Sequence, residues 1–591
     1  MTPPSIRPML DSALAQRRAG KLQEAESLLR QALTLQPQDA QALYLLAGLL
    51  HATGRSADAV AAYRQALKIQ PDFPEASMEL ADALTALGQG DEAAAALHRA
   101  AQQHPDNPQI LNRLGTALLL VQDLEKAAAV LRTSASLQAD PRTWNCLGDA
   151  LRRMGQHADS MACYDRALAM QPDFAAAFSS RLYALHFAPH YDLEAMFQEH
   201  RKWNERYAKP LAGQIRPHTN DATPDRRLRV GYVSPDLRAH SVTLFLENLL
   251  SGHDPARVET FCYADVLQPD GITARLQQSA GHWRSLLGQS DADAAQLIRQ
   301  DQIDILVDLA GHTPNNRLLV FARKPAPVQV SYLGYPDTTG LDAMDYRLTD
   351  ALADPPDQTD AFFSERLVRL PQTFLCFRPA GPAPAVGPLP ARAAGRVTFG
   401  SFNHAAKISD PRVELWSQVL LAVPGSRLLL KSAGLGDAVP RRQLHDRFAG
   451  HGVGPDRLDM HARIPSLTKH LQLYHQVDIA LDTFPYHGTT TTCEALWMGV
   501  PVVSLAGKHH ASRVGVSLLS NVGLPELIAE DPQGYVRIAV GLAQDLPRLT
   551  ALRRELRDRM AQSPLLDAGR FARNVEAAYR QMWRTWCQKR N

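Results

Sequence analysis

The sequence contains no run of about 18 uninterrupted apolar residues, so a membrane-spanning helix is not expected. Its first residues lack the charged start and apolar stretch of a secretory leader, which predicts a protein that stays in the cytoplasm. There is no Cys-x-x-Cys pair either. The six cysteines, Cys146, Cys163, Cys262, Cys376, Cys493 and Cys587, stand apart, a pattern that excludes the spacing of a zinc knuckle or redox couple and predicts idle thiols in a reducing compartment. Net charge is also missing: 63 Lys and Arg against 61 Asp and Glu leave +2, so no charge excess argues for nucleic acid or a membrane surface as partner.

What is present is length and pattern. A chain of 591 residues, 45% hydrophobic and 21% charged, has the composition of globular protein and is too long for one core, which predicts three or four domains. Self-similarity sets the first of them. Leu-Gln-Pro ends at Pro37, Ile-Gln-Pro at Pro71, His-Pro at Pro105, Leu-Gln-Ala at Ala139 and Met-Gln-Pro at Pro172, spacings of 34, 34, 34 and 33 residues. Small residues recur in the same register, as Ala13, Ala25 and Ala32, then Ala47, Ala59 and Ala66, then Ala81, Ala93 and Ala100, and on through Gly115, Ala127, Gly148 and Ala167. This is the tetratricopeptide pattern, in which small residues let paired helices approach and proline stops the second helix. One hairpin cannot bury its own apolar face, so about five in tandem, with a capping helix, predict an α-helical solenoid over residues 6–190 with a concave surface suited to protein segments.

A linker helix and polar loop follow over residues 191–227. Composition then changes to short β-branched runs at residues 228–234, 258–263, 305–309 and 328–333, with helical pattern between them, as at residues 291–299. That alternation predicts a parallel, doubly wound sheet over residues 228–378. A Pro/Ala/Gly-rich stretch, residues 379–396, reads as an interlobe loop. The alternation resumes over residues 397–591, with strands expected at 397–402, 427–431, 477–481 and 500–505 and a helix at the C-terminus. Two Rossmann-like lobes with a cleft between them make an α/β GT-B fold, with ligands gathering beyond the carboxyl ends of the strands. Two unrelated α/β domains are the alternative on these patterns alone.

Five motifs carry the chemistry: Gly231-Tyr-Val-Ser-Pro-Asp236 followed by His240; Ala310-Gly-His-Thr-Pro-Asn-Asn316; Leu333-Gly-Tyr-Pro-Asp-Thr-Thr-Gly340; Phe399-Gly-Ser-Phe-Asn403 followed by Lys407; and Leu481-Asp-Thr-Phe-Pro-Tyr-His-Gly-Thr-Thr-Thr-Thr-Cys-Glu494. Lys407, five residues past a strand, would stand at its carboxyl edge, where a cation could balance charge on a departing diphosphate. The run Thr489 to Thr492 precedes a helix expected from Cys493, and hydroxyls with free backbone N–H groups there suit an anion, ordinary N-capping being the alternative. His240 follows the first strand of the other lobe, and histidine suits proton transfer near neutrality or simple hydrogen bonding. Asp291-Ala-Asp293 has metal-ligand spacing but precedes a helix and reads as cap and first-turn acid, so no metal is assigned.

In this order, and behind a repeat array, the motifs resemble the O-linked N-acetylglucosamine transferase and SPINDLY family. The resemblance implies an inverting protein O-glycosyltransferase that moves a sugar from a nucleotide-sugar co-substrate to Ser or Thr of acceptor proteins, without metal or other cofactor. It implies that Lys407 and His240 are catalytic-site residues, that Thr490 and Thr491 contact the donor diphosphate, that Glu494 contacts the ribose, and that His404, His470, His487, Gly488 and Thr489 complete the donor site. His404 stands where the family has glutamine or asparagine. Family breadth favours UDP-GlcNAc, while Ala310 to Asn316, Ala353-Asp-Pro-Pro-Asp357 and Cys493-Glu494 are closer to SPINDLY, whose plant members use GDP-fucose. Acceptor proteins are the expected partners of the repeat groove. Yet the asparagines that line the animal groove are replaced by Asp11, Leu45, Glu79, Arg113 and Cys146, and a homo-oligomer is left open. A non-catalytic tetratricopeptide scaffold is the rival reading.

Overall fold

The computed structural model describes residues 5–188 and 192–590. The chain divides into two compact units, Met1–Ala150 and Leu151–Asn591. In the first, α1 (Arg7–Arg18) pairs with α2 (Leu22–Leu35), α3 (Ala40–Ala52) with α4 (Ser56–Ile69), α5 (Pro74–Ala86) with α6 (Gly90–Gln103), and α7 (Pro108–Leu120) with α8 (Leu124–Leu137); α9 (Pro141–Arg153) crosses the boundary. The repeat alanines are the contact points. Ala32, Ala47, Ala59 and Ala66 have no exposed surface, and at Gly115 even a methyl is too large, because a Cβ there would collide with Leu131.

Every hairpin turns through a left-handed residue, at Gly20, Gly54, Gly88, Gln122 and Gly155, with φ of 77°, 80°, 76°, 67° and 82°. Four of the five use glycine, whose missing Cβ removes the clash that this conformation imposes. Gln122 pays that strain in the fourth.

The second unit begins with α10 (His157–Met170), α11 (Ala175–Leu185) and α12 (Leu193–Trp203), continued by a π-turn at Asn204–Ala208. The repeat pattern reads as one domain over residues 6–190, but the compact first unit ends at Ala150. The reason is burial: Phe178, Leu182 and Leu185 of α11 share an apolar cluster with Tyr263, Leu306 and Phe321 of the first α/β lobe. Residues 189–191, where array is expected to give way to linker, lie outside the described residues.

Two all-parallel sheets follow. The first has order β3-β2-β1-β4-β5-β6-β7, from β1 (Leu228–Ser234), β2 (Val258–Ala264), β3 (His282–Ser285), β4 (Ile305–Asp308), β5 (Val328–Ser331), β6 (Tyr346–Asp350) and β7 (Arg366–Leu370). The second has order β10-β9-β8-β11-β12-β13, from β8 (Thr398–Ser401), β9 (Arg427–Lys431), β10 (Leu458–His461), β11 (Ile479–Leu481), β12 (Val502–Leu505) and β13 (Ile528–Ala529). Strand order reverses between β1 and β4 and between β8 and β11, and such switch points open a crevice at the carboxyl ends. The loops after β1, β8 and β11 carry His240, Lys407 and the threonine run.

Two sequence expectations change. The segment 379–396 is not loop throughout, since Pro390–Ala394 is helical and the Ala391 amide donates to Asp478. The last helix, Ala568–Arg590, assigned from sequence to the second lobe, packs on the first: Glu576 accepts from the Asp254 amide, and the Tyr579 hydroxyl lies 3.4 Å from that of Tyr232.

Replacing Gln122 with glycine should relieve the left-handed strain, less the entropy that glycine adds to the unfolded chain, a net gain of about 0.5–1 kcal/mol. Urea unfolding of the full chain measures it. An unchanged or lowered midpoint for the repeat transition would contradict this account of the turn.

Candidate active site

The second sheet supplies most of the site, and Asp482 organises it. Its carboxylate, just past β11, accepts from the amides of Thr483 (2.9 Å) and Gly488 (2.8 Å) and from the Ser504 hydroxyl (2.8 Å). These bonds curl residues 482–488 into a tight loop. Gly488 is needed there because a Cβ would collide with Thr491 and lie 2.9 Å from Asn403 Oδ1.

Lys407 ends a short 3₁₀ turn, Ala405–Lys407, that follows β8. Its Nζ donates to the His487 carbonyl at 2.6 Å and lies 3.8 Å from the centre of the Tyr486 ring. Withdrawal from water lowers its pKa to about 8, with Asp482 opposing the shift. His404 caps the same turn, its Nδ1 accepting from the Ala406 amide at 3.2 Å. Burial, with Arg152 and Arg153 near by, pushes its pKa down to about 3, so the ring is neutral and carries its proton on Nε2, as a donor.

The threonine helix runs Thr490–Trp497 and so begins three residues before its expected start at Cys493. Thr489 occupies the N-cap position without making a side-chain cap bond. The first intrahelical bond from this end runs from the Cys493 amide to the Thr489 carbonyl, which leaves the preceding amides at the open end of the helix dipole. Thr491 Oγ1 donates to Asn403 Oδ1 (3.1 Å) and Thr492 Oγ1 to the Gly488 carbonyl (3.0 Å). Thr490 Oγ1 is buried without a hydrogen-bond partner. A buried orphan hydroxyl beside free amides fits an anion with several acceptor oxygens, which is the chemistry of a diphosphate.

One turn on, Glu494 Oε2 accepts from His470 Nε2 (2.9 Å), whose Nδ1 accepts from Lys431 Nζ (3.2 Å). His470 is 8% exposed and packs with Tyr474 and Phe402. His487 lies differently from expectation. Its ring is wholly buried, donating from Nε2 to the Leu505 carbonyl and accepting at Nδ1 from the Gly515 amide, so only its backbone reaches the site.

His240 stands apart from this group, past β1 on the first sheet, exposed, with Nδ1 3.7 Å from Asp236 Oδ2 and accepting weakly from the Val242 amide at 3.4 Å. Desolvation lowers its pKa and Asp236 opposes. With Nδ1 occupied, its other nitrogen carries the proton, so the ring must release Val242 before it can act as a base. Asn403, Lys431 and Tyr486 were not singled out from sequence. Asn403 and Tyr486 lie inside quoted motifs, whereas nothing local marks Lys431, at the end of an ordinary strand.

Among the described residues one group has metal-ligand geometry, His186, His200 and Asp337, with ligand atoms within 4.8 Å of one another. The Tyr335 hydroxyl bridges the two rings at 3.0 and 2.7 Å, and Arg347 donates to the carbonyls of Tyr335 and Asp337. The group forms a hydrogen-bond network in which the Tyr335 hydroxyl joins both rings. Asp291 and Asp293 also have other partners: Asp291 pairs with Arg317, and the Asp293 amide is capped by Ser290.

Comparison with known proteins gives the chain's relatives. The chain matches the profile of glycosyl transferase family 41 over residues 211–378 and 388–575, and tetratricopeptide repeat profiles over residues 10–74, 50–99, 78–142 and 141–174. It is 44% identical over 428 residues to the probable UDP-N-acetylglucosamine–peptide N-acetylglucosaminyltransferase SPINDLY of Oryza sativa subsp. japonica, covering 72% of this chain and 46% of that one. Identity to the corresponding SEC protein of Arabidopsis thaliana is 34%, over 61% of this chain and 38% of that one. The chain thus spans about half the length of the curated relatives it matches. A mutant O-GlcNAc transferase from Thermobaculum terrenum superposes with a TM-score of 0.82 at 38% identity, covering 88% of this chain and 98% of its own.

If the Thr490 hydroxyl is an unfilled phosphate donor, Thr490→Val should weaken nucleoside diphosphate binding by about five- to tenfold while leaving Tm unchanged or higher, since a buried unsatisfied hydroxyl is removed. Calorimetry and a thermal melt decide it. Unaltered affinity would take Thr490 out of the site.

Proposed function

The chain belongs to glycosyl transferase family 41, and from that premise we propose that it is an inverting protein O-glycosyltransferase that draws on a nucleotide-sugar donor. The observation that carries the reading is the pairing of a half-buried lysine with an unfilled helix start: Lys407 at the end of the turn after β8 and the orphan Thr490 at the head of its helix. The donor diphosphate takes the amides and hydroxyls of Thr489 to Thr491. An acceptor Ser or Thr hydroxyl attacks the anomeric carbon and gives up its proton to solvent at the acceptor side, the bond to the diphosphate oxygen breaks, and the electron pair departs onto a group facing Lys407. Charge grows there only as the bond cleaves, so the lysine acts mainly on the transition state. Glu494, oriented by His470 and Lys431, takes the ribose, Gly488 lets the backbone close over the phosphates, and the proton on the outward nitrogen of His404 serves the donor. His240 lines the acceptor side. Helix dipole and lysine supply the charge compensation that a divalent ion gives other transferases.

UDP-GlcNAc is the proposed donor, supported by the activity for which the SPINDLY and SEC relatives are named; GDP-fucose is the competing donor in the test. The repeats would present acceptor proteins. No helix among the described residues is long and apolar enough to cross a membrane, which suits the proposed cytoplasmic site of action. The non-catalytic scaffold reading is disfavoured by the retained geometry around Lys407.

The test incubates the protein separately with UDP-GlcNAc and GDP-fucose, in EDTA, and follows donor hydrolysis and transfer to protein. Turnover with the first and not the second is expected, and turnover with neither would sink the transferase reading. Lys407→Ala should lower kcat by about a hundred- to a thousandfold with far less change in the Kd for nucleoside diphosphate. Because the charged form is the active one and its pKa in the free protein lies near 8, kcat/KM of the wild type should fall as pH rises through about 8. A variant that turns over normally would remove the lysine from the mechanism.

A further inference from the structure

Tyr486 lies between the lysine and the end of α11. One face of its ring carries Lys407 Nζ, 3.8 Å from the centroid. Against the ring pack Phe187 (centroids 5.4 Å apart), Tyr183 (6.5 Å, edge-on) and His186 (6.2 Å), all from the end of α11 or the two residues after it. The Arg152 guanidinium, at the end of α9, lies 4.8 Å over Tyr183 and 5.7 Å over Phe187, and the His157 ring stacks on Phe187 at 5.7 Å.

The α9–α10 hairpin, which precedes α11, also reaches the turn that bears the lysine. Gly155, left-handed at the α9–α10 turn, comes so close that a Cβ on it would lie 3.6 Å from the Ala405 carbonyl and 3.9 Å from Ala406 Cα. The segment whose carbonyl holds the ammonium and the turn that bears the lysine are thus both backed by helices from the N-terminal side of the lobes. The α11 end is fixed in turn to the first lobe, through the His186–Tyr335 hydrogen bond of 3.0 Å.

We propose that Tyr486 is the positioning residue for Lys407, and that its ring is set by Tyr183 and Phe187, so that α11 governs the chemical step. This rests on the reading of Lys407 as the cation that receives the leaving group. An ammonium has three N–H bonds. One is spent on the His487 carbonyl, the ring face screens a second side from water, and the third direction is left for the diphosphate. An aromatic face attracts a cation most strongly when both are desolvated, while an aliphatic side chain of similar bulk excludes water without attracting charge.

The ionisable groups around the lysine are few. On the loop after β11 stand Asp482, His487 and Tyr486; His404 is on its own turn; Arg412 comes from the helix Asp410–Ala422; Arg152 and His157 come from the hairpin. Asp482 is the one carboxylate of this set and is already held by three donors. The ring face is therefore a principal support for the charged form.

The test measures donor hydrolysis in the full-length chain as kcat and KM across pH, with a calorimetric Kd for nucleoside diphosphate and a thermal melt for each variant. Tyr486→Phe keeps the face and should hold kcat and the alkaline limb of kcat/KM close to wild type. Tyr486→Leu keeps water out but loses the attraction. It should lower kcat about tenfold, with KM changed much less, and move the alkaline limb of kcat/KM down by about half a pH unit. Phe187→Leu, remote from donor and acceptor, should move the same limb in the same direction. Wild-type limbs in both leucine variants, or equal losses in Tyr486→Phe and Tyr486→Leu, would overturn the proposal. Lys407→Ala, run in parallel, separates the two failures. Normal turnover there removes the lysine itself, whereas a collapsed kcat beside an unaffected Tyr486→Leu removes only the role of the ring.

Discussion

An ammonium group kept out of water is costly unless something replaces its hydration, and at Lys407 the replacements are one carbonyl and one aromatic face. Much of the surrounding structure follows from keeping those two in place. Asp482 ties down the loop that offers the His487 carbonyl. The buried His487 ring, bonded at both nitrogens, prevents that loop from rotating. His404 caps the turn from the other side. The arrangement is preorganised for negative charge to arrive, and little needs to move when it does.

The parallel sheets place this constraint where a ligand can reach it. Each sheet reverses strand order once, and the loops that diverge at the reversals carry His240 on one lobe and Lys407 with the threonine helix on the other. Burial within the strands does the structural work, leaving the loops free to hold polar groups that a core would not tolerate. Thr490 illustrates the consequence: a buried hydroxyl without a partner is unfavourable in the resting protein and becomes useful only when an anion supplies the acceptor. Glu494, His470 and Lys431 show the opposite case, a chain of polar groups that satisfy one another and so arrive already oriented.

How much of this was legible depended on the length scale of the signal. The repeats announce themselves because the same contact recurs every 34 residues, and alanine at each crossing is a direct record of helix-to-helix distance. The strands that were found are apolar runs buried on both faces. Those that were missed are β3, β6, β7, β10 and β13. In β6 (Tyr-Arg-Leu-Thr-Asp) and β7 (Arg-Leu-Val-Arg-Leu) charged residues interrupt the run, and β13 is only two residues long. The helix beginning at Thr490 was read three residues late because threonine is a weak helix former, and here the loop that Asp482 folds delivers the chain in helical register.

By itself the sequence determined the solenoid, the two doubly wound lobes and the short list of residues at the strand ends, since each depends on local periodicity or on spacing along the chain. Only the tertiary structure decided where the first compact unit ends, that the C-terminal helix returns to the first lobe, that the His487 ring faces the core while its carbonyl faces the lysine, and that Tyr486 joins Lys407 to α11. Those outcomes rest on contacts between residues far apart in sequence. Their energies come from burial and from the direction of individual hydrogen bonds, neither of which has a period that the chain could display.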